Sequence, residues 1–141
     1  MSNIRDQIRI AVATKVGMLA TTFTDYPLLI EYTNGQKVNT ATQTNPYLKV
    51  TVRYQDGQQV DLALQPGHRL IGTLILEACV KEATGTAEAN KLLEHFYPAL
   101  HMTDTMPPLR TMAARFSTKQ AVNGWAAEAA LIPFWADSVG P

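Results

Sequence analysis

The chain has 141 residues, enough for one domain that buries roughly 68–70% of the surface its unfolded chain would expose, without a metal or disulfide staple. Lys+Arg and Asp+Glu both number 12, and the charged share of 17% lies below the ordinary ~25%. Zero net charge excludes a chain-wide attraction for nucleic acid or anionic membrane, and the low charge content leaves uncharged surface of the kind that partners bury.

The predicted elements run in the following order. Ser2 to about Phe23 reads as a helix, because Ile4, Ile8, Val12 and Val16 recur every fourth residue and Ala11 and Leu19 widen the stripe. Asn3 can cap it, with Asp6 favourable in the first turn. After Pro27, the run Leu28–Tyr32 predicts a short strand. The segment from Thr33 to Asn45 is rich in Thr, Asn and Gln and has no apolar period. It is expected to be a long loop or extended arm, too polar for the core and available to a neighbour.

Tyr47 to Tyr54 alternates cleanly and predicts a strand. Asp56-Gly57 signals a hairpin turn. The returning strand carries Val60, Leu62 and Leu64, and Pro66-Gly67 makes the next turn. His68 to Lys81 predicts a long strand with Leu70, Leu74, Leu76 and Val80 on one face and Ile71, Ile75 and Cys79 on the other. A strand apolar on both faces is central, or has its second face covered by another chain.

Gly85-Thr86 opens a second helix, striped by Ala89, Leu92, Leu93 and Phe96 and expected to stop at Pro98. The Pro98–Pro108 loop is apolar for a loop, with Leu100, Met102 and Met106. Strands at Leu109–Lys119 and Trp125–Trp135, joined near Asn123-Gly124, close the chain. The predicted fold is α+β: a mostly antiparallel sheet with two amphipathic helices packed on one face. Residues 1–135 form one domain, and 136–141 are expected to be a loose tail.

The catalytic inventory is close to empty. His68, His95 and His101 have no metal-ligand spacing and read as ordinary surface histidines. Cys79 is the sole cysteine, which rules out an intrachain disulfide and agrees with a reducing cytoplasm; it reads as a buried, inert thiol. Gly85-Thr86 reads as a helix entry rather than a phosphate site, and Glu128 as an exposed or interface charge without a partner base. No catalytic, cofactor-binding or metal-binding residue is expected, and no cofactor. The N-terminus lacks a signal-peptide core, and no stretch approaches the ~18 apolar residues of a membrane span. The aromatic residues Trp125, Phe134 and Trp135 are expected to cluster in the terminal hairpin as core or as a shared interface, the second being the favoured reading. With Ile71 and Ile75, and with Asn34, Gln36, Lys37, Asn39 and Thr42 of the polar arm, they make up the candidate subunit or tube interface.

The order of Ile30-Glu31-Tyr32-Thr33-Asn34, a polar loop and Asn45-Pro46-Tyr47-Leu48-Lys49-Val50-Thr51-Val52 resembles the tail-terminator proteins of long-tailed bacteriophages. So do His68-Arg69-Leu70-Ile71-Gly72, the helix ending Leu92-Leu93-Glu94-His95-Phe96, and the closing Leu131-Ile132-Pro133-Phe134-Trp135. The resemblance spans Ile4 to Trp135; the apolar Pro98–Pro108 loop departs from it. It implies a structural virion protein rather than an enzyme: a self-assembled ring, usually of six copies. The ring would cap the head-proximal end of the tail tube, end tube polymerisation and offer a surface for head–tail joining. The implied partners are further copies, the tail tube protein and a head–tail connector or neck protein. DNA would pass through the lumen without specific binding, and no membrane is involved. The implied location is the virion tail, after assembly in the host cytoplasm. The alternatives are another neck or tail subunit, such as a head-completion or tube-like protein, and a small ligand-binding α+β domain.

Overall fold

A computed structural model describes residues 4–32, 35, 37–40, 42–55, 58–59, 67–81, 86–122 and 124–139. Its elements are α1 (Ile4–Ala20), β1 (Ile30–Tyr32), β2 (Tyr47–Tyr54), β3 (Gln58–Gln59), β4 (Gly67–Lys81), α2 (Thr86–Leu100), β5 (Leu109–Thr111), β6 (Arg115–Val122) and β7 (Trp125–Val139). The expected α+β architecture is present. The sheet order is β1-β2-β4-β7-β5, with β3 also along β4 and β6 also along β7. Every pairing is antiparallel except β1 with β2.

The spine of the sheet is β4 against β7, fifteen residues each, paired from Gly67↔Val139 to Lys81↔Trp125. Alternate side chains point to opposite faces. On the inner face, Leu70, Leu74, Leu76 and Val80 of β4 meet Ala130, Ile132, Phe134 and Ala136 of β7 in one core. Both helices close that core. Ile8, Val12 and Val16 of α1 and Ala89, Leu92, Phe96 and Leu100 of α2 are buried in it. Gly72 lies opposite Phe134. A Cβ at Gly72 would collide with the Arg53 carbonyl oxygen and stand 2.6 Å from the Phe134 ring, so the ring takes the room that a side chain would need.

Several boundaries differ from the sequence expectation, each for a local reason. Helix α1 stops at Ala20 rather than near Phe23, because the hydroxyls of Thr21 and Thr22 donate to the carbonyls of Met18 and Leu19. Pro98 does not stop α2. It removes one backbone donor in the last turn, yet the chain continues to Leu100, which is fully buried, and His101 N–H donates to Tyr97. The apolar loop after it is explained the same way, since Met106 and Leu109 plug the core.

The strand expected over Leu109–Lys119 is two strands. Thr111 faces Phe134 while Arg115 faces Leu131, so the edge gains one residue and bulges at Met112–Ala114. Pro133 lies opposite the break. Its carbonyl accepts from Met112, but it has no N–H to continue the ladder. Ala114 N–H donates to His101 Nδ1 instead.

Gln58–Gln59 still runs in the direction of β2. Gln58–Gln59 pairs with Arg69 and His68, on the same edge of β4 that β2 occupies, one residue out of register with it. The Asp56-Gly57 pair, the expected returning strand Val60–Leu64, Pro66, Gly85, Asn3 and Asn123 lie outside the described residues. The second hairpin signal does act: Val122 pairs with Trp125 and Gly124 has φ +82°. The strand after it runs to Val139, so the expected loose tail from Ala136 is instead paired with Gly67–Leu70. Ala136 is fully buried.

Candidate functional site

The long polar segment after β1 has a structural task. Parallel strands cannot be joined by a tight turn and need a crossover of a dozen or more residues. The chain from 33 to 46 provides it, and its described part lies against the outer face of the sheet. Val38 packs with Tyr47, Cys79, Trp125 and Ala127, and the Trp125 indole donates to the Thr40 carbonyl. Tyr47 and Trp125 meet edge to face with ring centroids 5.2 Å apart. Beneath the crossover, the Glu31 carboxylate accepts from Val38 N–H at 2.8 Å and stands 3.6 Å from Lys49 Nζ. The segment is the long loop that the sequence predicts, but it does not stand off as an arm, because Val38 packs on the outer face. Lys37, Asn39 and Thr42 are exposed on this crossover, whereas Asn34 and Gln36 lie outside the described residues.

The crossover divides the outer face. Its covered half buries Cys79, and Ile75 on the same face is also buried within the single chain, so neither needs a neighbour for cover. Burial pushes the Cys79 thiol up to about 11, which keeps it protonated at neutral pH, as an inert thiol should be. The open half centres on Ile71, Thr73, Leu131, Pro133 and Trp135, all half-buried. Trp135 lies between two guanidiniums: Arg69 Cζ is 4.2 Å and Arg110 Cζ 5.4 Å from ring centroids. Arg69 also donates twice to Asp137, at 2.9 and 3.3 Å, a pair held at the surface. Arg53, Arg110 and Arg115 rim this half and are exposed.

The aromatic patch expected from Trp125, Phe134 and Trp135 does not exist as one surface. Phe134 has even parity and lies fully buried on the inner face. Trp125 and Trp135 share the outer face but stand at opposite ends of β7, one under the crossover and one on the open half. Of the five apolar or aromatic residues expected at an interface, Ile71 and Trp135 remain available to a partner. Sequence reasoning missed Arg110 and Arg115, which come next to β7 only through the edge strands.

The charges are less scattered than the sequence implies. Strand positions on the outer face hold Lys49, Arg53, Arg69, Lys81, Arg110, Arg115 and Lys119 against Glu31, Glu77 and Asp137. Asp104 lies beside Arg110 and Trp135 at the edge of this face, and Asp56, Asp61 and Glu82 lie outside the described residues. The face is basic although the chain is neutral.

The helical side holds other polar features. His95 Nε2 donates to the Leu19 carbonyl at 2.8 Å and lies 2.9 Å from the Thr22 hydroxyl, tying α2 to the end of α1. His95 and His101 are thus structural connectors rather than free surface groups. Glu128 accepts from the Thr118 hydroxyl across the β6–β7 pair. A cavity of about 500 Å³ opens between α1 and the β1–β2 edge, floored by Val12, Val50, Val52 and Tyr54 and rimmed by Arg5, Asp6 and Arg9. Among the described residues, no group of three or more His, Cys, Asp or Glu side chains could hold a metal ion, and no helix is long and apolar enough to cross a membrane.

No family model and no curated protein matches the sequence. A solved structure whose name states no function is similar over 99% of this chain and 99% of its own, with a TM-score of 0.65 and 15% identity. That likeness concerns the fold alone.

Proposed function

We propose that this chain is a virion structural protein of the tail-terminator type. Copies of it form a ring that caps the head-proximal end of a phage tail tube, ends tube polymerisation and presents the head–tail joining surface. The observation that carries the reading furthest is the open half of the outer sheet face. It combines Ile71, Leu131, Pro133 and Trp135 at its centre with Arg53, Arg110 and Arg115 at its rim. Aromatic and Arg residues around an apolar centre are the composition of protein–protein contacts. The sequence resemblance, from Ile4 to Trp135, supplies the identity of the assembly. Its partners are further copies, the tube protein and a neck protein; it needs no cofactor and performs no catalysis. Its place is the virion tail.

The test has two arms. Sedimentation of the purified chain should show a closed oligomer in equilibrium with subunits. In a phage carrying the gene, its deletion should give tails of uncontrolled length and heads without tails. Normal tail lengths and joined heads after deletion would overturn the reading.

The cavity between α1 and β2 supports a second reading, a small ligand-binding domain for apolar anions, because its floor is apolar and its rim holds two guanidiniums against one carboxylate, Asp6, which stands 3.8 Å from Arg9. Saturable thermal stabilisation by medium-chain carboxylates, abolished in Arg9→Ala, would favour it.

A further inference from the structure

We propose that the open half of the outer sheet face is one side of a head-to-tail contact between copies of this chain. It would seat on the acidic surface that Glu88 and Glu94 of α2 present in the next copy. The proposal rests on the ring reading above and adds the two surfaces and their chemistry.

Charge decides the geometry. A sheet-to-sheet contact about a two-fold axis would set Arg53, Arg110 and Arg115 of one copy against the same residues of the other. Like charges opposed across an interface cost several kcal/mol. None of the three has an ion-pair partner among the described residues that would neutralise it. A contact between two different surfaces avoids this cost, and such a contact generates rings when its rotation closes.

The opposite charge is present on the same chain. Glu94 and Asp25 are exposed and Glu88 half-buried on the helical side, with Lys91 bound to Asp25 at 2.6 Å. Tyr26, between them, feels the field: after burial, Glu88 and Asp25 are the groups that push its hydroxyl up to about 12. The two surfaces lie on opposite layers of the molecule, since α2 packs on the inner face of the sheet. A contact of one with the other therefore propagates from copy to copy rather than ending at a pair.

Size matters too. Four strands about 4.8 Å apart and seven residues of about 3.3 Å each give a patch on the order of 400 Å² per copy. That is about half of a standard interface side. A single contact should be weak and salt-sensitive, and closure of the ring should supply the remaining stability.

The experiment uses two full-length variants. One carries Arg53→Glu, Arg110→Glu and Arg115→Glu; the other carries Glu88→Lys and Glu94→Lys. Thermal unfolding checks that each is folded, and the Arg→Gln set replaces the first if it is not. Assembly is read by sedimentation at low and physiological salt, alone and mixed. The expected result is that wild type assembles, more strongly at low salt. Each variant alone loses assembly at least tenfold, and the mixture regains it, because its surfaces are again opposite. If wild type assembles and the sheet variant does too, this contact is wrong while the ring reading stands. If the sheet variant fails but the lysine variant assembles like wild type, α2 is not the receiver and the proposal falls. Submicromolar, salt-sensitive binding of duplex DNA by wild type, lost in the sheet variant, would assign the face to a polyanion instead. A wild type monomeric at every concentration would overturn the ring and this contact together.

Discussion

The two faces of the sheet are made by the same strands, residue by residue, yet they are finished in different ways. On the inner face, two helices cover the spine of the sheet, and Leu74, Leu76, Ala130, Ile132 and Phe134 are shut from solvent. On the outer face, one polar crossover seals Tyr47, Cys79 and Trp125 at one end, while Ile71 and Trp135 at the other end stay partly exposed. Adjacent residues of β7 thus belong to different economies of free energy. Phe134 serves folding, and Trp135 is free to serve contact.

The largest expected effect probes that pair. Phe134→Ala should destabilise the chain by about 3–5 kcal/mol, as loss of a fully buried ring does. Trp135→Ala should cost about 1 kcal/mol, mainly its contacts with Arg69 and Arg110. Urea unfolding of the two variants reads the difference; equal losses would mean that the outer face is as much core as the inner one.

Trp125→Ala tests whether the crossover half is truly sealed. The indole is 8% exposed and tied to Thr40, so its loss should cost about 3 kcal/mol. Amide exchange at Val38 should quicken in the same variant. If stability is unchanged, the crossover rests on the sheet without stabilising it, and the segment returns to the role of an arm.

Gly72→Ala comes next. The added methyl meets a backbone carbonyl and the edge of the Phe134 ring, and only the ring can move. A loss of about 1–3 kcal/mol is expected. Combining it with Phe134→Leu should recover part of that loss, which a thermal-melt cycle would show as a non-additive pair.

The smallest effect is alkaline. Burial holds the Cys79 thiol at about 11, above its ordinary 9.0. The folded state then keeps a proton that the unfolded state releases between these values. Its contribution to stability is therefore complete below about pH 9 and is lost as pH rises toward 11. Wild type should lose stability more steeply than Cys79→Ala over that window. Iodoacetamide at pH 8 should label native Cys79 at least tenfold more slowly than unfolded chain.

Local patterns settled much of this molecule. The four-residue recurrence of Ile8, Val12 and Val16, the alternation of β2 and β4, the stripe of α2 and the turn at Gly124 each follow from neighbours in the chain, because helix and strand periods are local properties. The α+β class and the placing of both helices on one face followed from those patterns. What the sequence could not settle was decided by residues brought together from afar. Whether β1 pairs parallel to β2 depends on hydrogen bonds between distant strands, and that pairing turned a polar stretch into a crossover. Pro133 broke the edge strand through its absent N–H on a neighbouring strand, and Leu100 carried α2 past Pro98 by its burial. The basic face arose because alternate residues of four strands add their charges across the sheet, where a linear reading sees them only one at a time. Parity along a strand is written in the sequence; which parity is covered, and by what, is fixed only when the layers pack.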